Sequence, residues 1–208
     1  MNRLIEAGAA LAALIVMTPV MALIAVIVVL DSGFPVLYRQ KRIGKGGRPF
    51  VIFKFRTMRD DLEGSAITAA HDRRVTRVGA WLRKLKLDEL PQLMNVLRGE
   101  MSLIGPRPEL PDYVDLESPL WRTVLGAAPG ITDLATLAFR NEEEILGGVS
   151  NPDAYYRSSI LPTKLRLNVR YQESRTLARD VKLLWLTARY SFFPRGYDRE
   201  RILRSLGA

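Results

Sequence analysis

Residues 7–30 read AGAALAALIVMTPVMALIAVIVVL, a run of 24 residues without a charged side chain. A helix of this length measures about 36 Å at about 1.5 Å per residue, whereas the hydrocarbon core of a bilayer is about 30 Å thick. The run therefore predicts a helix embedded in a membrane. Near its middle stand Thr18 and Pro19. Because a proline inside a helix lacks an N–H and clashes with the preceding turn, we expect a bend there.

Composition alone leaves the topology of this helix open. The charge bias places Met1 outside the cell and the rest of the chain in the cytoplasm. The alternative is a bent helix that enters and leaves the membrane by the same face. A cleaved signal peptide is disfavoured because the run is too long, Arg3 is offset by Glu6, and no small-x-small site precedes Asp31.

The net charge of +9 is distributed unevenly along the chain. Residues 32–59 contain eight basic side chains and no acidic one, namely Arg39, Lys41, Arg42, Lys45, Arg48, Lys54, Arg56 and Arg59. Such a block beside an apolar helix is typical of the cytoplasmic side and attracts anionic membrane lipid. Nucleic acid is the usual alternative for a basic protein, but the adjoining helix favours lipid and phosphate. The absence of cysteine excludes disulfides and thiolate chemistry.

We predict an α+β fold with two parts, a membrane helix at residues 1–31 and one compact domain at residues 32–208. The β-prone runs 36–43 and 50–55 flank a glycine-rich turn and predict a short β-hairpin. The rest of the domain is expected to be mostly helical. Helical patterns cover 78–97 (interrupted by Pro91), 113–125, 142–145 and 152–173, and loops are expected at 60–72 and 99–111.

Asp88 and Glu89 are adjacent carboxylates in the apolar frame LDELP of residues 87–91. Two close carboxylates repel each other and burial disfavours ionisation, so one pKa should be raised. A carboxylate can attack phosphorus and form an acyl phosphate. The neighbouring carboxylate could hold a hard divalent cation, which binds oxygen ligands and usually bridges to phosphate. The alternative is an ordinary charged pair on a helix surface.

Cations suited to phosphate occur in two further segments. Lys54 and Arg56 lie in KFRTM, residues 54–58, where strand alternation points them to one side; a solvated strand face is the alternative. Arg107 stands between two prolines that fix the backbone, so its guanidinium could be preorganised for phosphate. The alternative there is a surface loop in which Arg107 pairs with Glu109.

Other catalytic signatures are absent from the sequence. His71 is the only histidine and is not expected to act as a catalytic base. The chain has no Walker-type loop, no G-x-S-x-G elbow and no His/Cys metal cluster.

Four segments together resemble the bacterial sugar transferases, also called monotopic polyprenyl-phosphate phosphoglycosyl transferases, in the small form reduced to the catalytic core. They are KFRTM at 54–58, LDELPQL at 87–93, NVLRGEMSLIGPRP at 95–108 and PGIT at 129–132. Each fragment alone is unspecific, but the order and spacing are specific, and the resemblance covers nearly the whole chain.

The resemblance implies transfer of a sugar-1-phosphate from a nucleoside diphosphate sugar, expected to be a UDP-sugar, to polyprenyl (undecaprenyl) phosphate. The products would be a polyprenyl-diphosphate-sugar and a nucleoside monophosphate, as in the first membrane step of glycoconjugate and polysaccharide biosynthesis. It also implies Mg²⁺ and a location on the cytoplasmic face of the bacterial inner membrane.

Residue by residue, the resemblance makes Asp88 the nucleophile that forms a covalent phosphosugar intermediate. Glu89 would be its partner in metal binding or proton handling. Lys54, Arg107 and Arg140 match family positions near phosphate groups, and Arg56 is a further candidate from its strand position. Arg140 by itself, following PGIT, is uninformative.

The resemblance further implies a re-entrant helix, broken by a polar residue and a proline so that both ends stay cytoplasmic. Thr18 and Pro19 occupy that place, although serine is expected before the proline. A second departure follows PGIT, where this chain has DLATLAFRNE at residues 133–142 in place of glycine and an aromatic-Gln segment. This difference is consistent with a subgroup that uses a different sugar.

The aromatic and basic segment 182–197 fits an interfacial amphipathic helix, with ordinary core packing as an equal alternative. For the whole chain, the second hypothesis is a non-catalytic membrane module that binds anionic lipid and needs neither carboxylate. Nucleic acid is not an expected partner, and whether two copies form a homodimer is left open.

Overall fold

The computed structural model describes residues 3–59, 67–70 and 72–207. Its helices are α1 (Arg3–Ser32), α2 (Arg77–Leu85), α3 (Leu93–Arg98), α4 (Pro119–Leu125), α5 (Leu134–Ala138), α6 (Glu142–Gly147), α7 (Pro152–Tyr155), α8 (Leu161–Glu173), α9 (Leu177–Phe192) and α10 (Arg199–Ser205). Its strands are β1 (Leu37–Ile43), β2 (Pro49–Phe55), β3 (Ser102–Ile104) and β4 (Gly130–Thr132). The predicted mostly helical α+β class is confirmed.

The predicted hairpin is confirmed as the antiparallel pair β1–β2, in which Leu37 lies opposite Phe55 and Ile43 opposite Pro49. The prediction of a loop at 99–111 is only partly right, because this segment contains the strand β3, which pairs in parallel with β4. No local sequence pattern predicts a three-residue strand whose partner strand follows only after an intervening helix. The predicted loop at 60–72, with His71, falls mostly outside the described residues.

The approach of β3 to β4 depends on two glycines that touch backbone to backbone. A Cβ on Gly130 would lie 2.0 Å from the nitrogen of Gly105, and a Cβ on Gly105 would lie 2.2 Å from the oxygen of Ala128. Neither position can carry a side chain without moving the main chain. This contact fixes where the chain leaves β3 toward Arg107.

The predicted helix at 78–97 is broken earlier than expected. The break comes at Lys86, which has φ 60° and ends α2, and not at Pro91. A 3-10 turn, Leu87–Gln92, then carries the chain into α3 and accommodates Pro91 in its interior. The predicted helix at 113–125 begins only at Pro119, whereas 152–173 is helical throughout, with a π turn at Tyr156–Ile160.

Helix α1 is the one described helix long and apolar enough to cross a membrane, and only 11% of its most apolar stretch is buried. It is helical throughout, so Thr18 and Pro19 do not interrupt it. The Thr18 hydroxyl donates to the Leu14 carbonyl at 2.7 Å. This type of bond bends helices, as does a proline.

Both ends of α1 pack on the rest of the protein. At its start, Arg3 donates to the carbonyls of Val96 and Leu97 at 2.6 and 3.0 Å, and buried Glu6 accepts from Ser102 at 2.7 Å. At its far end, Ile24 and Val28 are buried in a cluster with Phe55 and Leu82. Residues 15, 16 and 18–20, in the middle, are exposed.

The largest hydrophobic core lies away from α1. It is formed mainly by side chains of α4, α5, α8 and α9, together with others from α6 and α10, and Leu134, Leu146 and Leu183 are fully buried. Helix α9 contributes to this core through one face only. Its other face leaves Leu177, Val181, Trp185 and Phe192 more than half exposed. Core packing is therefore confirmed for one face of α9, and the interfacial placement of its exposed face stays a prediction.

Candidate active site

The site is built on the 3-10 turn Leu87–Gln92, which places Asp88 and Glu89 against the end of β2. Both carboxylates are buried, each with 6% of its surface exposed. The alternative of an ordinary surface pair is therefore wrong. The left-handed backbone at Lys86 makes the sharp change of direction that turns the two side chains inward.

Glu89 is held by two cations. Its Oε1 lies 3.0 Å from Nζ of Lys54 and 2.5 Å from Nη2 of Arg107, and Nη1 of Arg107 donates to Oε2 at 3.1 Å. Burial raises the pKa of Glu89, but the charges of Arg107 and Lys54 outweigh it and hold that pKa well below its usual range. Glu89 is therefore an ionised carboxylate in a bidentate ion pair.

Asp88 has the opposite environment. Its Oδ1 is buried and has no hydrogen-bond partner among the described residues. Burial, followed by the neighbouring charge of Glu89, raises the pKa of Asp88. A desolvated carboxylate oxygen with no partner is free to bond to an incoming group.

Lys54 and Arg107 differ in the effect of burial. Burial lowers the pKa of Lys54 to about 8, although Glu89 opposes this change. The charge of Glu89 raises the pKa of Arg107 above its ordinary value. At neutral pH both side chains are cations beside the two carboxylates.

The alternative pairing of Arg107 with Glu109 is wrong, because Glu109 accepts instead from the Tyr156 hydroxyl at 2.5 Å.

Arg107 is positioned through its main chain by Asp133, which the sequence analysis did not single out. Asp133 is 2% exposed, and its Oδ2 accepts from the backbone N–H of Arg107 at 2.6 Å and from Asn168 at 3.2 Å. Its Oδ1 accepts from the N–H of Thr136 and so caps α5. An aspartate directly before an apolar helical segment is a capping signal, but nothing local indicates the bond to Arg107.

The described contacts of Arg56 lie at the end of α1 and not at the carboxylates. Its guanidinium donates to the carbonyls of Ser32 and Phe34, at 2.5 and 2.8 Å, and also to that of Gly33. It lies one residue beyond β2, where the strand alternation with Lys54 no longer applies. That Arg56 binds a substrate phosphate therefore stays a prediction, and its contacts hold the end of α1.

Arg140 does not touch the carboxylates, but it lines the same cavity as Glu89. It is partly buried, and desolvation lowers its pKa below the ordinary arginine value. Among the described residues it forms no ion pair. It follows α5, which ends at Ala138, and Leu90 and Leu93 line the same cavity.

Mg²⁺ would have to be shared with a substrate. No group of three or more acidic, His or Cys side chains that could hold a metal occurs among the described residues. Mg²⁺ is commonly bound by one or two carboxylates together with substrate phosphates. The unpartnered Oδ1 of Asp88, beside the ionised Glu89, fits that arrangement.

Comparison with known proteins places the chain in a family. The model of the family "Bacterial sugar transferase" matches residues 1–194. The chain belongs to the bacterial sugar transferase family.

Several proteins similar to this chain have names that state a reaction. The chain is 36% identical over 191 residues to the UDP-glucose:undecaprenyl-phosphate glucose-1-phosphate transferase of Caulobacter vibrioides, with 89% of this chain and 67% of the relative covered. It is 44% identical over 116 residues to a putative undecaprenyl-phosphate N-acetylgalactosaminyl 1-phosphate transferase of Bacillus subtilis, with 55% and 65% covered.

The relatives differ in length. The family member is 36% identical over 205 residues to the undecaprenyl-phosphate glucose phosphotransferase of Komagataeibacter xylinus, with 93% of this chain but 36% of that protein covered. The chain thus spans about a third to two thirds of these relatives.

Proposed function

We propose that this protein transfers a sugar-1-phosphate from a nucleoside diphosphate sugar to polyprenyl phosphate, through a covalent intermediate on Asp88. The observation that carries the proposal is the pair of buried carboxylates with opposite environments. Glu89 is neutralised by Lys54 and Arg107, whereas Asp88 has an unpartnered oxygen. Family membership and the printed names of the relatives support the reaction class.

In the first half-reaction, a carboxylate oxygen of Asp88 attacks the phosphorus that carries the sugar. A bond forms between that oxygen and the phosphorus, and the bond from this phosphorus to the bridging oxygen breaks. A nucleoside monophosphate leaves with the bridging oxygen and the electron pair of the broken bond. In the second half-reaction, an oxygen of polyprenyl phosphate attacks the same phosphorus and Asp88 leaves as a carboxylate. No oxidant, reductant or water is required.

Lys54 and Arg107 supply positive charge where the phosphates would lie. Phosphoryl transfer is catalysed mainly by positioning and by electrostatic stabilisation of the phosphate oxygens. Arg107 is preorganised for this, because Asp133 fixes its backbone and Glu89 orients its guanidinium. Asp88 and Glu89 would hold Mg²⁺ together with the donor's phosphates, and the ion would neutralise charge when bound.

The contacts of α1 support a re-entrant placement at a membrane surface. Arg3 and Glu6 at one end and Val28 and Ser32 at the other touch the same domain. A helix that crossed the bilayer would carry one of these ends to the opposite face. Both ends would then lie at the cytoplasmic face, which fits an acceptor whose phosphate lies at headgroup depth.

The exposed apolar face of α9 supports the same placement. Trp185 is 57% exposed and the guanidinium of Arg189 lies 5.2 Å from its ring centroid. An aromatic side chain with a neighbouring cation suits the headgroup region. Three cations of the basic block, Arg42, Lys54 and Arg56, are turned inward, so this block is a weaker candidate for a lipid-binding patch.

The test is a screen of nucleoside diphosphate sugars with undecaprenyl phosphate, in which released nucleoside monophosphate is measured for the wild type and Asp88→Asn. We expect release that requires Mg²⁺ and the acceptor for repeated turnover, and none above background for Asp88→Asn. Asp153→Asn, at a partly exposed aspartate on α7, is the matched control and should retain activity. An Asp88→Asn protein with full turnover would contradict the mechanism, and inactivity of the wild type would leave the lipid-binding module as the better hypothesis.

A further inference from the structure

An apolar cavity of about 140 Å³ adjoins Glu89, next in sequence to Asp88, and is not used by the donor chemistry described above. It lies between the 3-10 turn, the segment from β4 into α5, and α9. Its walls are mostly carbon, from Leu90, Leu93, Ile131 and Leu137. Glu89 is the only acidic side chain among the described residues that line it, and Lys86 and Arg140 are the cations.

We propose that this cavity holds the first isoprene unit of the acceptor, and that Lys86 and Arg140 bind the acceptor's phosphate. This inference rests on the proposed function and assigns a place to one of its two substrates.

The size and chemistry of the cavity favour a small apolar guest. An apolar cavity of about 150 Å³ takes a guest the size of benzene, and an isoprene unit has one carbon fewer. A sugar would need partners for its hydroxyl groups. Two hydroxyls on the wall, those of Thr132 and Thr187, are already bonded to each other at 2.9 Å. The buried hydroxyl of Thr136 has no partner among the described residues, so the wall offers a sugar few hydrogen-bonding groups. The cavity therefore suits hydrocarbon better than the sugar of the donor.

The two cations are available for a ligand. Neither Lys86 nor Arg140 forms an ion pair within the described part of the chain, whereas Lys54 and Arg107 are both engaged with Glu89. Lys86 also interacts electrostatically with both Asp88 and Glu89. A phosphate bound by Lys86 would therefore lie near the nucleophile, with the hydrocarbon directed into the cavity.

The backbone at Lys86 supports a role for its side chain. Lys86 is the only non-glycine residue with positive φ in the described part of the chain. A glycine would adopt this conformation without the steric cost that a Cβ brings. Such strain is typical of functional sites.

The first experiment fills the cavity with Ser191→Phe. Ser191 is buried on α9 and lines the cavity. We expect the KM for undecaprenyl phosphate to rise at least about tenfold, because the ring would take the place of the isoprene unit. The donor KM, and the single-turnover release of nucleoside monophosphate without acceptor, should stay within about twofold of the wild type. The matched control is Ser158→Phe, at an exposed position on the π turn.

The second experiment uses Lys86→Gly, a variant that is expected to fold even if Ser191→Phe does not. This change removes the left-handed strain, so the thermal midpoint should not fall, yet the acceptor KM should rise roughly tenfold through loss of a charged hydrogen bond. Lys84→Ala removes an exposed cation two residues earlier and should leave the acceptor KM unchanged. The Asp88→Asn protein should also bind farnesyl phosphate more tightly than inorganic phosphate, and Ser191→Phe in that background should remove the difference.

Several outcomes would overturn the inference. A raised donor KM with an unchanged acceptor KM in Ser191→Phe would assign the cavity to the sugar nucleotide. Wild-type acceptor KM values in both Ser191→Phe and Lys86→Gly would show that the cavity binds neither substrate. Equal displacement of farnesyl phosphate by phosphatidic acid would make it a general lipid site. In all three cases the wild type turns over, whereas an inactive wild type would overturn the proposed function and this inference together.

Discussion

Asp88 and Glu89 are neighbours in sequence, yet their side chains have different environments. Both are desolvated, but only Glu89 meets two cations, so its pKa falls while that of Asp88 rises. Environment separates two otherwise equivalent carboxylates in this way in many acid–base sites. The separation gives one carboxylate an orienting role and leaves the other available for bonding.

The pH dependence of turnover should report Lys54. Its pKa is lowered to about 8, so it carries its charge below that pH and loses it above. We expect the rate to fall as the pH rises through about 8. In Lys54→Arg the guanidinium stays charged, and the alkaline fall should move to higher pH even if the maximum rate is lower. Lys41→Arg, at an exposed position on β1, is the control; an unchanged alkaline fall in Lys54→Arg would contradict the assignment.

Asp133 should matter for both stability and rate. Asp133→Ala would leave the N–H groups of Arg107 and Thr136 and the amide of Asn168 without their acceptor, at a cost on the order of 3 kcal/mol in the free energy of unfolding. We also expect kcat to fall, because Arg107 would lose its main-chain anchor. The checks are the thermal midpoint in detergent and the single-turnover rate.

Asn151→Ala provides the control for Asp133→Ala. Asn151 caps α7 through a 3.0 Å bond from the N–H of Ala154 and has no described bond to Arg107. Its loss should cost about 1 kcal/mol and leave kcat unchanged. Equal kcat values in the two variants would contradict the positioning role of Asp133.

Among the elements, the short β3–β4 pair bears directly on the site. It joins the loop before Arg107 to the strand before Asp133, and its register places Ile104 opposite Thr132. The pair exists because Gly105 and Gly130 allow their main chains to touch.

Gly130→Ala tests this contact. Its Cβ would lie 2.0 Å from the nitrogen of Gly105, so the strands must separate. We expect a loss on the order of 3 kcal/mol or more in the free energy of unfolding, together with loss of turnover. Gly8→Ala is the control, because nothing lies within 4 Å of a Cβ there and alanine favours the helix. Wild-type stability in Gly130→Ala would contradict the requirement for close approach.

At the scale of the whole molecule, α1 would link the site to the membrane in the proposed placement. Its first turn is attached to α3 and β3, and its last turns pack on β2 and α2. The 3-10 turn with Asp88 lies between α2 and α3, so the contacts of α1 with these two helices hold both ends of that turn. The placement of the helix in the membrane should thus set the height of the carboxylates.

Labelling of single cysteines in the naturally cysteine-free chain tests the topology. A cysteine added before Met1 and Lys45→Cys in the exposed hairpin turn should both react with a membrane-impermeant maleimide only in inverted vesicles. Lys45→Cys serves as the marker of the domain's side. Reaction of the N-terminal cysteine in spheroplasts would establish a spanning helix and contradict the re-entrant placement, without affecting the Asp88 chemistry.

The sequence by itself determined the apolar helix, the β1–β2 hairpin, the carboxylate pair and the cations Lys54 and Arg107, because each is a local pattern or a specific motif. Only the tertiary structure decided that Arg107 pairs with Glu89 and not with Glu109. It also decided that Arg56 donates to carbonyls at the end of α1, and that β3 pairs with β4. The same is true of the bond from Asp133 to Arg107. These contacts join residues far apart in the chain, and their geometry depends on how buried groups compete for partners. Local periodicity carries no information about that competition.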